Sequence, residues 1–137
     1  MKFCCLCLAV LFLTQIYVPA APAPTDADAR AAALKWVSLL DSGQYEAAYK
    51  ARVPRITTDQ LHEHFLEWMR ATRAPLGKAR TREFREVKHT HAVVGSPDGN
   101  YELISFKTSF EHKPAANEMV VLTSETGTWK VSDYRLY

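Results

Sequence analysis

The sequence predicts an α+β domain, three N-terminal helices packed on a curved four-stranded antiparallel sheet. Two observations carry that reading. In the C-terminal third, from Asn100 to Tyr137, apolar residues alternate with polar ones, the period of a half-buried strand. Between Thr25 and Thr72 the apolar residues instead recur at helical spacing, with capping and breaking residues at the ends of each run. The chain has 137 residues, 47% hydrophobic and 23% charged, which suits one globular core and is too short for two. Its formal net charge is +2 with both signs interspersed, so it carries no electrostatic footprint for nucleic acid.

Met1-Lys2 gives a short positive start, Phe3 to Ile16 an almost uncharged apolar run, and Val18-Pro19-Ala20 the small residues a signal peptidase reads. The expectation is a signal peptide over residues 1–20, a Pro/Ala-rich tether over 21–25 and a single α+β domain over 26–137. The protein is then periplasmic or secreted, with no membrane insertion after cleavage. About 117 residues remain, enough to bury roughly two-thirds of the unfolded surface. Cys4, Cys5 and Cys7 all lie inside the signal, so the mature chain is expected to contain no disulfide.

Thr25 caps the first helix with Asp28 three residues on, and Ala29, Ala33, Trp36, Val37 and Leu40 follow on one face until Gly43 stops it near Asp41. A second helix spans Gln44 to Arg52, with Tyr45, Ala48 and Tyr49 on one side and Pro54 beyond its end. Thr57 or Thr58 caps a third, whose stripe is Leu61, Phe65, Trp68 and Thr72, closed by Pro75 and Gly77. Aromatic residues at this spacing either fill a core or line a cavity, and Trp68 is a candidate for both.

The first strand, Lys78 to Val94, is so polar that an edge position, or one face open to water, is expected. Gly95 to Asn100 is turn chemistry joining it to the second strand, where Ile104, Phe106, Thr108 and Phe110 share a face. Lys113-Pro114 breaks the chain. A third strand holds Met119 to Thr123, Glu125-Thr126-Gly127 turns it, and a fourth runs from Thr128 to Tyr134, with Trp129 and Val131 on one face.

Several blocks then agree in order: Trp36 with Leu39-Leu40-Asp41, Gly43 and Tyr45; Arg73-Ala74-Pro75-Leu76-Gly77; Ser96-Pro97-Asp98-Gly99-Asn100-Tyr101; Phe106 with Thr108-Ser109-Phe110-Glu111 and Lys113; Glu118; and Trp129-Lys130-Val131-Ser132-Asp133-Tyr134. They resemble the bacterial exported family known as domain of unknown function 4019. Tyr49 stands where that family often has Ser-Trp, and Asp133 where it often has Gly. The resemblance implies a small α+β domain similar in shape to the nuclear transport factor 2 and cystatin-like group. It implies no catalytic residue, since the family carries no agreed activity.

The chemistry-bearing candidates are few. His89-Thr90-His91 places two imidazoles on one strand face, where a third ligand such as His112 or Glu111 would complete a metal site; a pair of exposed histidines near a hairpin is the alternative. His62 and His64, two apart on a helix, point in nearly opposite directions. No mature cysteine, Gly-x-Ser-x-Gly elbow or phosphate-binding glycine loop is present. The expectation is a non-enzymatic binding module, without metal or cofactor, that holds a protein partner of inhibitor or immunity type or a small apolar ligand. Trp68, Arg73, Phe106 and His91 are its candidate ligand-binding residues. A small pocket enzyme, an isomerase or hydrolase using a buried carboxylate or histidine, is the runner-up, and metal binding through His89 and His91 the third reading.

Overall fold

The computed structural model describes residues 24–137. The expected signal peptide, its cysteines and residues 21–23 of the tether lie outside them. No helix among the described residues is long and apolar enough to cross a membrane.

Helix α1 covers Asp26–Asp41. Thr25 closes a capping box: its hydroxyl accepts from the Asp28 N–H, and the Asp28 carboxylate accepts from the Thr25 N–H. Ala29, Ala33, Trp36, Val37 and Leu40 form its buried face. Helix α2, Tyr45–Lys50, is shorter than the expected span from Gln44 to Arg52. The Val53 N–H donates to the Val131 carbonyl at 2.9 Å, so the chain leaves the helix to run along the sheet before Pro54 is reached. A single tight turn at Pro54–Ile56 follows.

Helix α3, Asp59–Thr72, sits rotated from the expected stripe. Its buried residues are Phe65, Leu66 and Met69, while Leu61 is exposed and Trp68 half-buried. Phe65 belongs to both stripes. The choice between them is made by what the helix packs against, and Met69 is fully enclosed by the core.

The sheet is an antiparallel meander in the order β1-β2-β3-β4, with strands Ala79–Thr90, Tyr101–Phe110, Ala116–Thr123 and Lys130–Leu136. Strand β1 lies at an edge, the first of the two positions its polarity allowed, and its register with β2 shifts at two places. It stops at Thr90 rather than Val94. The Gly99 N–H bonds to the His91 carbonyl and the Ser96 N–H to that of Val93, so residues 91–100 close as a loop instead of extending the ladder. On β2, Ile104, Phe106, Thr108 and Phe110 are buried together. A register shift opposite Val121 and Leu122 puts Val131 and Tyr134 both inward on β4, although three positions separate them. One core unites Trp36, Val37 and Leu40 of α1 and Phe65, Leu66 and Met69 of α3 with Ile104, Phe106, Val120, Leu122, Val131 and Tyr134 of the sheet.

Candidate functional site

A cleft of about 290 Å³ opens between α3, the segment after α2, and β4. Helical spacing brings Leu61, His64, Phe65 and Trp68 to one side of it, Arg52 and Ile56 form a second side, and Asp133 and Tyr134 form the base. Trp68 meets Tyr134 edge to face, their ring centroids 6.0 Å apart. The walls are mostly apolar. Arg52 is the cation among them: its Nη2 donates to the Ser132 carbonyl at 3.0 Å, and its guanidinium carbon stands 5.1 Å from the centre of the Phe65 ring. Its Nε is buried without a hydrogen-bond partner among the described residues. Burial lowers the Arg52 pKa against the pull of Asp133, yet an arginine stays charged across the physiological range.

Behind the cleft lies a chain of charges. The Tyr134 hydroxyl donates to Glu118 Oε1 at 2.5 Å, and burial together with that carboxylate pushes the phenol far up, so it remains protonated. The fully enclosed Glu118 side chain also accepts from the Thr108 hydroxyl and from Arg82 Nε, the latter at 2.7 Å. Arg82 grips Asp41 with both terminal nitrogens, at 2.7 and 3.0 Å, and Arg73 reaches the same carboxylate at 2.8 Å. Burial alone would raise the Asp41 pKa. The hydrogen bonds from Arg82 and Arg73 outweigh it, and the net shift is downward. Arg73 further donates to the Gly77 carbonyl at 2.9 Å and lies 4.4 Å over the Phe110 ring. Two cations and two anions thus balance, each oxygen is supplied with donors, and the floor under Tyr134 is fixed.

A family model described as "Protein of unknown function (DUF4019)" matches residues 32–134, which include every residue of the cleft and of the charge chain. The chain belongs to this family. No curated protein and no solved structure matches it.

In this DUF4019 domain the four candidate ligand-binding residues are dispersed. Trp68 lines the cleft. Arg73, 2% exposed, belongs to the charge chain and is linked to the cleft through Asp41, Arg82, Glu118 and Tyr134. Phe106 is enclosed in the core, facing Phe84 with ring centroids 6.4 Å apart. His91 is exposed in the loop after β1, so it does not share a strand face with His89. His89 turns instead to Glu102, its Nδ1 2.8 Å from Oε1, and to Asp26, its Nε2 3.4 Å from Oδ2. His62 pairs with Glu46 at 2.8 Å.

Arg52, Arg82, Glu118 and Tyr134 are among the residues that the sequence reading did not place at a site. Glu118 carried a signal, since it falls on the same strand face as the inward Val120 and Leu122 and a lone carboxylate on an apolar face requires a cation. Arg82 shares the inward side of β1 with Phe84, the two facing Thr108 and Phe106 respectively. Arg52 lies in irregular chain and carried none.

Proposed function

We propose that this DUF4019 domain is an exported, non-enzymatic binding module, and that its cleft holds a small, largely apolar ligand bearing one anionic group. The Arg52 guanidinium on the wall of the cleft carries the reading, since the one hydrogen bond it makes among the described residues is from Nη2 to the Ser132 carbonyl. A guanidinium lining an apolar cleft favours a carboxylate or a comparable anion, and charge-assisted hydrogen bonds of this kind are the strong ones. Ile56, Leu61, Phe65 and Trp68 supply the apolar contact. A protein partner added along β1 is disfavoured, because Arg80, Glu83, Arg85, Glu86 and Lys88 are exposed on that edge strand and its register shifts twice. Those shifts, which bend a strand, suit a sheet curved in the manner of the nuclear transport factor 2 and cystatin-like group. The apolar run after Lys2 is the ground for export to the periplasm or beyond, with Ala21 as the first mature residue.

A small pocket enzyme is the second reading, favoured by the presence of His64 and Asp133 in the cleft. Tyr134 offers it no base, because its proton is held toward Glu118.

The probe is 8-anilinonaphthalene-1-sulfonate, an aromatic body with one sulfonate, titrated into the chain from Ala21 to Tyr137. A single saturable site is expected, weakened about tenfold by Arg52→Ala, the loss of one charge-assisted bond, and weakened also by Trp68→Ala. Binding that is absent, or indifferent to both substitutions, would remove the cleft from consideration. Export is tested separately, by N-terminal sequencing of the periplasmic form.

A further inference from the structure

His89 of β1 stands directly opposite Glu102 of β2 in the ladder, and the first residue of α1, Asp26, lies beside them. The three offer one nitrogen and two carboxylate oxygens, all within 4.8 Å of one another. Glu102 is the unusual member. Its side chain is 4% exposed, its Oε1 meets His89, and its Oε2 is buried with no hydrogen-bond partner among the described residues. A carboxylate oxygen removed from water and left without a donor is costly, so the fold retains it against a penalty that a cation would relieve.

We propose that Asp26, His89 and Glu102 form a binding site for one divalent transition-metal ion, with Zn²⁺ the best match. Zinc binds imidazole nitrogen and carboxylate oxygen at about 2.0–2.2 Å, and three donors this close can converge on such a point once the imidazole, which presents Nδ1 to Glu102 and Nε2 to Asp26, turns one nitrogen toward both carboxylates. The imidazole disfavours Mg²⁺ and Ca²⁺, which take oxygen ligands, and the lack of a thiolate disfavours Cu⁺. Two carboxylates and a neutral imidazole match the charge of the ion. Three protein ligands leave a fourth position to water or to an incoming group. The ion would also tie the start of α1 to the β1-β2 pair, adding to the contacts that His89 makes to Asp26 and Glu102. His91, beyond the end of β1, has no part in the site.

The test is isothermal titration of Zn²⁺ into the full chain with Cys4, Cys5 and Cys7 changed to serine, since their thiolates would bind zinc independently. One ion per chain is expected. His89→Ala and Glu102→Gln should each weaken binding about tenfold or more, with circular dichroism confirming the fold, and His91→Ala should leave it unchanged. Because Glu102 is buried, the exposed His89 provides the variant whose folding is least at risk. Zinc should also raise the melting temperature of the parent protein and not that of His89→Ala. No saturable binding, binding that survives both His89→Ala and Glu102→Gln, or binding lost instead with His91→Ala or His62→Ala would each overturn the proposal.

Discussion

Arg73 Nη2 stands 2.8 Å from Asp41 Oδ1 and joins the turn after α3 to the last residue of α1. Arg73 is almost wholly enclosed, so its charge depends on this contact for compensation, and Asp41 in turn shares itself between Arg73 and Arg82. Arg73→Met keeps the apolar length over Phe110 and removes the charge, leaving two anions against one cation. A loss of about 3 kcal/mol or more in urea unfolding is expected, as for other broken buried pairs. Combining it with Asp41→Asn should recover about 1–3 kcal/mol relative to the sum of the single losses. Strict additivity would mean that the two side chains stabilise the fold independently.

The same carboxylate makes stability depend on acidity. The Asp41 pKa is lowered in the folded protein below its ordinary value of 3.8, so between the two values the unfolded chain binds more protons and folding gains as pH rises. The contribution is complete above the unfolded value and disappears as pH falls through the folded one. Urea midpoints measured from pH 5 downward should therefore decline less steeply in Asp41→Asn than in the parent. Parallel acid limbs would show that Arg73 and Arg82 do not hold the proton off Asp41.

How much of this could be read in advance depended on whether a local signal was unique. Helix α1 was legible from end to end, because Thr25, Asp28 and Gly43 mark its limits and its apolar face has one solution. Strand β2 was legible for the same reason. In α3 two apolar lines compete, Leu61-Phe65-Trp68 and Phe65-Leu66-Met69, roughly one residue's rotation apart, and only the core they meet decides between them. The end of β1 was hidden because Val93 and Val94 continue a strand-like composition, while the loop is closed by hydrogen bonds among backbone groups. The cleft was half legible. Trp68 announced itself, but Arg52 belongs to a segment placed by its bonds to β4, a relationship between residues some eighty positions apart that no local pattern records.

Trp36 donates its indole N–H to the Ala48 carbonyl at 2.8 Å and packs against Tyr134 with ring centroids 5.4 Å apart, so one side chain holds α1 to both α2 and β4. Trp36→Phe keeps an aromatic ring and removes the donor from a buried carbonyl. The expected cost is about 1–3 kcal/mol, the penalty of leaving such a group unsatisfied together with the reduced contact. Hydrogen exchange should show α2 loosened more than α3, since α2 is the element that loses its tie. Uniform loosening would assign the effect to packing alone.

Gly77 separates α3 and its closing turn from β1, at φ +73° and ψ −155°, a region essentially reserved for glycine. The space around it is also closed. A Cβ built there would lie 2.7 Å from Glu111 Oε2, 2.9 Å from Glu111 Cβ and 3.0 Å from His112 Cδ2. The oxygen can swing aside, but the Glu111 Cβ cannot, since the Glu111 N–H bonds to Lys78 and the His112 N–H to Leu76 across the same gap. Gly43 is the control: its φ is +71° and a Cβ there would meet nothing within 4 Å. Gly43→Ala should therefore cost about 1 kcal/mol, the conformational penalty alone. Gly77→Ala should cost about 2–4 kcal/mol, because strain and overlap add, and because the Gly77 carbonyl that Arg73 holds is displaced with it. Equal losses in the two variants would mean that the β1-β2 corner yields freely, and that Arg73 is not anchored through Gly77.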